Sequence, residues 1–415
     1  MDIKEVDVLV IGAGPAGSVA AAVVHQAGFS LQVVEKEKFP RFVIGESLLP
    51  RCMDVLDDCG FLPALKKKNF QEKFGAKFIK NGMVADFNFS DQFTEGWSWT
   101  WQVTRADFDQ TLITDVQERG VPVDFQTTVM RIEFMDDESS ITTVKDFQGN
   151  EKKIKARFII DASGYGRVIP RLFNLEKPSV LDSRKAIFAH VTDRNRNSFD
   201  EPNRIIIVTY APGTWVWIIP FSSGHTSLGF VGSFDFFNSM QGNEADKFAA
   251  LIQGNDYLKN RFSDAEYIFE PRKLESWSVT TDKFYGNGFV LTGNVTEFLD
   301  PVFSSGVMFA TVSSHLASKL VVKKLKGEIV DWEMEYMKVV RQGVDTFRTY
   351  VTAWYDGTLD SIFFVPNKVK SIERQICSVL AGYVWDERNP FVKNHSTEIK
   401  KLAALIESHK VTADQ

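Results

Sequence analysis

A chain of 415 residues, 44% hydrophobic and 25% charged, is long enough for more than one domain around a large buried core. Its formal net charge of −6 excludes the basic balance of a nucleic-acid or anionic-membrane binder, and no apolar run reaches the ~18–20 residues of a membrane-crossing helix. Three cysteines and six scattered histidines, with no CxxC and no HExxH, exclude a disulfide framework and give no metal-ligand spacing. The start, MDIKEVDV, leads directly into an apolar run without a signal peptide, so a cytoplasmic address is expected.

The first predicted element is a buried parallel strand over Val6–Ile11. It enters Gly12-Ala13-Gly14-Pro15-Ala16-Gly17, which opens a helix from Ser18 to about His25. In such a strand–turn–helix Gly12 reverses the backbone, Gly14 lets it approach a pyrophosphate and Gly17 lets helix pack on strand. The helix N-terminus adds unpaired N–H groups for that anion. A second apolar run, Leu31–Val34, ends in Glu35, placed where a ribose-binding acid belongs. These features predict dinucleotide binding, with a single fingerprint in the chain.

Next come Phe39-Pro40-Arg41-Phe42 and the bend Gly45-Glu46-Ser47, followed by a helix with Pro50 in its first turn and Gly60 just past its end. With GxGxxG and the strand-end acid, the pattern R-x-x-x-G-E-S resembles the FAD-binding half of the glutathione-reductase-type flavoproteins. It is nearest their hydroxylase, halogenase and prenyl-reductase branch. The resemblance implies an α/β fold: a Rossmann FAD-binding domain, an interleaved antiparallel sheet over the substrate, and a helical C-terminal region. It implies cofactor contacts from Gly12, Gly14, Ala16, Gly17, Glu35, Arg41, Gly45, Glu46 and Ser47.

Lys73, in F-x-x-K-x-G-A-x-F, resembles the segment carrying the active-site lysine of flavin-dependent halogenases acting on phenols and pyrroles; spacing alone reads it as a surface residue. Trp97, Trp99 and Trp101 alternate, which predicts one face of a strand. An amphipathic helix follows to Gly120, and V-x-R-x-x-F-D-x-x-L within it resembles a second flavin contact through Arg105. Val121–Phe125, Val129–Phe134 and Ile141–Val144 read as a meander, and Lys153–Ile160 as a return to the central sheet. Its end, Asp161-Ala162-Ser163-Gly164, is similar to the D-A-x-G near the adenosine, implying roles for Asp161 and Gly164.

Strands Arg204–Tyr210, Trp215–Pro220 and Thr226–Val231 predict an antiparallel sheet, with a helix near Glu244–Gln253. Trp215-Val216-Trp217-Ile218-Ile219-Pro220 is W-x-W-x-I-P, the signature of flavin-dependent halogenases. After a strand over Gly288–Thr292 comes Gly293-Asn294, where the resembling proteins carry G-D; Asn294 can bond a hydroxyl but brings no charge. Phe298 to Gly306 matches F-x-x-P-x-x-S-x-G, which implies cofactor contacts from Gly293, Asn294, Pro301 and Gly306. Ser305 and Gly306, at a helix start, would offer N–H groups to halide or flavin; a plain capped helix start would present the same amides.

From about Gly327 onward the chain reads as helical without a motif. Phe347, Tyr350, Trp354 and Tyr355 stand at helical spacing as core or as a roof over substrate, and the end from His409 is expected to fray. The expected division is 1–75, 102–180 and 277–326 for FAD, 76–101 and 181–276 for substrate, and 327–415 as the helical region. The resemblance implies an FAD-dependent oxidoreductase, a halogenase with Lys73, Trp215, Trp217 and Ser305 in its chemistry. Its substrate is a phenol, pyrrole or lipid-like molecule, free or on an acyl carrier protein, with halide, O2 and a separate NAD(P)H flavin reductase. A monooxygenase, dehydrogenase or reductase of the same superfamily, or a non-catalytic flavin-binding module, are the other readings.

Overall fold

The computed structural model describes residues 3–413. Five parallel strands form the central sheet, in the spatial order Val123–Asp124, Leu31–Val34, Ile3–Ile11, Glu151–Asp161, Phe289–Leu291. Their apolar runs are buried on both faces, as parallel strands require. The helix Pro15–Gln26 starts three residues earlier than the sequence indicates, because Pro15 fixes its own φ in the first turn. It packs on the 21-residue helix Ser305–Leu325, where Ser314 Oγ donates to the Ala16 carbonyl over 2.6 Å.

Thr127–Phe134 and Ser140–Asp146 form the expected antiparallel excursion beside Glu151–Asp161. Val123–Asp124 is not part of it. That strand pairs in parallel with Leu31–Val34, placing it in the central sheet.

The second sheet has seven strands, in the order Arg272–Glu275, Lys185–Thr192, His225–Gly232, Thr214–Pro220, Ile205–Ala211, Gly75–Lys80, Met83–Asn88. It is antiparallel except where Ile205–Ala211 lies parallel to Gly75–Lys80, a join between distant segments that alternation cannot reveal. Side-chain alternation splits the strand Thr214–Pro220 between two cores. Trp215, Trp217 and Ile219 face the larger core, while Val216 and Ile218 pack beneath the helices Glu244–Gln253 and Asp256–Phe262.

The tryptophan run departs from expectation. Only Thr100–Gln102 is strand, paired with Gln71–Lys73, and Trp97 and Trp99 precede it in a bend. The three indoles still meet edge to face, at 5.7 and 5.2 Å between centroids. The C-terminal region is helical, and its last helix continues to Ala413; of the end expected to fray, 414 and 415 lie outside the described residues. Among the described residues no helix is long and apolar enough to cross a membrane. Cys52, Cys59 and Cys377 are buried and unpaired, and burial pushes their thiols up to about 11, 12 and 12.

Candidate active site

A cavity of about 560 Å3 runs from the Gly12–Gly17 turn to the face of the seven-stranded sheet. At its first end Gly12 adopts φ +99°, and a Cβ there would lie 2.6 Å from the Ala162 carbonyl oxygen. Gly17 is off the cavity and serves packing: a Cβ on it would come within 1.8 Å of the Gly12 carbonyl oxygen. Glu35 accepts from the backbone N–H of Ala13 at 2.8 Å and of Glu37 at 2.9 Å, which locks the turn while the carboxylate lines the cavity.

Arg41 and Arg105 both line the cavity and share one buried carboxylate, Asp109, at 3.0 Å and 2.8 Å. Asp109 was not singled out from the sequence, although its place four residues after Arg105 on one helix is a readable signal. Arg105 also donates to the Ile44 carbonyl; burial pushes its pKa down, but Asp109, with Tyr165 and Glu46, brings it above the ordinary value, so the guanidinium stays charged.

Gly45, Glu46 and Ser47 line the same wall. Glu46 Oε1 meets His190 Nε2 at 2.8 Å, and its buried Oε2 has no partner. The indole N–H of Trp277, also on the lining, is buried without a partner. Buried polar atoms are normally satisfied, and these two sit where a group bound in the cavity would meet them.

Gly164, Asn294, Pro301, Ser305 and Gly306 all line the cavity, as does Ala16. Ser304, before the long helix, takes a left-handed φ of +59° and gives no side-chain cap, so the helix start presents backbone N–H groups toward the cavity. Asp161 and Gly293 lie off the lining. The Asp161 carboxylate is spent on the N–H groups of Ser163 and Ile169, and the Gly293 N–H on Ser313 Oγ, so both shape the adjoining turns.

The far end is aromatic. Trp215 and Trp217 lie 6.0 Å apart between ring centroids and both line the cavity. Trp217 stands opposite Gly229 on the neighbouring strand, where a Cβ would fall 2.1 Å from the indole, and its N–H donates to Ser227 Oγ at 3.1 Å. Gly229 and Ser227 form the seat of this tryptophan, and no motif marks them.

Lys73 does not reach the lining. Its side chain is 2% exposed, and Nζ donates to Ser47 Oγ at 2.8 Å and to the Leu48 carbonyl at 2.7 Å. Ser47 is on the lining, so one hydroxyl separates the amine from the cavity. Burial, with the Arg204 charge, pulls the Lys73 pKa down to about 7.

The family described as FAD binding domain matches residues 5–255. The 1H-pyrrole-2-carbonyl-[peptidyl-carrier protein] chlorinase of Pseudomonas fluorescens is 27% identical, covering 98% of this chain and 95% of its own. The corresponding brominase of Pseudoalteromonas luteoviolacea is 28% identical over 81% of each chain. Among solved structures, a flavoprotein/dehydrogenase from Cytophaga hutchinsonii is 53% identical with a TM-score of 0.96, covering 98% of this chain and 100% of its own. A triple mutant of the flavin-dependent brominase Bmp2 is 26% identical with a TM-score of 0.82, covering 95% of this chain and 100% of its own.

Proposed function

This chain belongs to the FAD binding domain family, and from that premise we propose that it is a halogenase of electron-rich aromatic substrates. It is an FAD-dependent oxidoreductase, and FAD is its cofactor. The glycine turn, the two guanidiniums and the unpartnered Glu46 oxygen suit a dinucleotide bearing phosphates and polar ring edges. The chemistry supplied by bound reduced FAD is two-electron activation of O2, from which halide and a proton give hypohalous acid and water.

The chain's own residues carry the remaining roles. Arg41 and Arg105 hold the phosphates, Glu35 the ribose, and Asn294 a hydroxyl of the ribityl chain. The N–H groups at Ser305 and Gly306 hold halide. Trp215 and Trp217 keep water and substrate from the oxygen chemistry. Lys73 orients hypohalous acid as an ammonium, or as a neutral amine takes the halogen from it, the O–halogen bond breaking and one amine proton leaving with the hydroxide as water; near pH 7 both forms are present. The observation that carries the proposal is this buried amine, hydrogen-bonded to no carboxylate, one hydroxyl behind a cavity walled by two indoles.

The relatives acting on pyrroles held by a peptidyl carrier favour a pyrrole or phenol on a carrier protein. A separate NAD(P)H flavin reductase supplies reduced FAD, in the cytoplasm, where reduced nicotinamide is available. The division into FAD-holding segments (1–75, 102–180, 277–326) and substrate-covering segments (76–101, 181–276) belongs to the same reading. A dehydrogenase or monooxygenase is the second reading, favoured by the likeness to the Cytophaga hutchinsonii flavoprotein/dehydrogenase.

The test mixes the protein with FAD, an NADH-driven flavin reductase, chloride or bromide, and free and carrier-bound phenols and pyrroles, read by mass spectrometry. A halogen isotope pattern that is lost in Lys73→Ala, with FAD still bound, is the expected result. Oxygenated or dehydrogenated product whose yield ignores halide supports the second reading instead.

A further inference from the structure

The last residue of the helix Lys338–Tyr355 belongs to no motif, yet its hydroxyl joins two walls of the cavity. Trp215 Nε1 donates to Tyr355 Oη at 2.9 Å, and Tyr355 Oη donates to Asp300 Oδ2 at 2.8 Å. Asp300 Oδ1 accepts from the Val302 N–H at 3.1 Å. Trp215 and Asp300 line the cavity while Tyr355 stands behind them. Three remote segments are thus tied by one phenol: the tryptophan strand, the loop before Ser305 and the C-terminal helices.

A phenol has one proton to give. With the Trp215 N–H directed at its oxygen, the Tyr355 proton goes to Asp300, which accepts it fully only when ionised. If Asp300 takes up a proton on Oδ2, that group becomes the donor and the Tyr355 proton loses its acceptor. Burial raises the Asp300 carboxyl to about 6, and burial followed by the Asp300 charge holds the Tyr355 hydroxyl well above its ordinary value, so Asp300 is the member that titrates. The Arg184 guanidinium carbon lies 3.5 Å from the Tyr355 ring centroid and favours the ionised carboxylate. The other buried carboxylate on this wall, Glu297, is occupied by Arg348 at 2.6 Å.

We propose that Tyr355 is a positioning residue that couples the Trp215 wall to the charge state of Asp300. The Trp215–Tyr355 bond is strengthened when Asp300 is ionised and polarises the phenol, and weakened when a protonated Asp300 shares the same acceptor oxygen. In the halogenation reading, on which this consequence rests, a loosened indole lets oxidant escape the substrate.

The test uses the full chain labelled with 15N at the indole nitrogens, the Trp215 signal being identified by its absence in Trp215→Phe. In the unsubstituted protein that signal should titrate with a midpoint near 6. In Tyr355→Phe it should move and lose the titration, with FAD content unchanged because Tyr355 is off the lining. In turnover the same variant should release several-fold more hydrogen peroxide per reduced FAD consumed. Asp300→Asn keeps the tyrosine and should abolish the titration, which covers the case of Tyr355→Phe failing to fold. A Trp215 signal with the same position and pH response in Tyr355→Phe, or one that still titrates in Asp300→Asn, overturns the proposal. The nitrogen signal does not depend on halide, so a protein that never halogenates would sink the functional reading and leave this coupling to be judged separately.

Discussion

At the Gly12–Gly17 end of the cavity the polar groups are backbone amides and side chains fixed by near neighbours, Glu35 by Ala13 and Glu37, Arg105 by Asp109. At the tryptophan end several polar ties join side chains from distant segments: Trp215 to Tyr355, Tyr355 to Asp300, Lys73 to Ser47, His190 to Glu46. The first end is a local conformation that needs space. The second is an assembled wall that needs partners. A substitution at the first should act on cofactor affinity, and one at the second on stability and on the fate of the oxidant.

Gly14→Val is the sharpest way to break the first end. Gly14 is extended, with φ −71° and ψ −170°, so backbone strain is not the issue. Its Cβ would stand 3.3 Å from an Arg41 Nη atom, in the space the proposal gives to the phosphates. FAD affinity should fall at least ~100-fold, about 3 kcal/mol, by equilibrium dialysis, with folding retained. Full FAD occupancy would place the pyrophosphate elsewhere.

Lys73→Met probes the second end through pH. The native Lys73 pKa is lowered to about 7 from 10.5. Between those values the native state binds fewer protons than the unfolded chain, so this group makes stability rise with pH across that window. Below pH 7 the buried ammonium exacts its whole cost. Lys73→Met should therefore stabilise the apo protein most near pH 6, by about 3–5 kcal/mol at most, with the gain fading toward pH 10. A pH-independent change in denaturant midpoint would mean that the amine is not held away from water.

Gly229→Ala is the mildest. Its methyl would meet the Trp217 indole, which must move. A loss of about 1–3 kcal/mol is expected, with altered tryptophan fluorescence and unchanged FAD affinity. Weakened FAD binding would show that the two ends are not separable.

Legibility in the sequence follows the same division. The turn and the place of Glu35 at the end of Leu31–Val34 could be read because strand, turn and helix form a local pattern, whereas Arg41 and Ser305 came from resemblance and the Arg41 partner, Asp109, lies 68 residues away. Asp161 was read as a cofactor contact on the strength of its motif, but its carboxylate closes the turn to Ile169 instead. The parallel join of Ile205–Ala211 to Gly75–Lys80, the seat of Trp217 on Gly229, and the service of Tyr355 to Trp215 were out of reach. Each depends on register or packing between segments far apart in the chain, which a local pattern does not encode. Tyr355 stood at helical spacing among core residues, and nothing beside it distinguished its hydroxyl from theirs.

The three cysteines acquire a meaning from the proposed chemistry. Hypohalous acid and hydrogen peroxide attack sulfur readily, and a maker of either lives beside its own poison. With thiols at about 11 and 12, the thiolate fraction near neutrality is on the order of one in ten thousand or less, and all three cysteines are buried. Cys52, on the helix just after Leu48, is near enough to Lys73 for the charges to interact, yet it lies off the cavity lining. The cysteines are thus denied as targets in the core, while Met83, Met130 and Met334 at the surface are the thioethers that stray oxidant meets first.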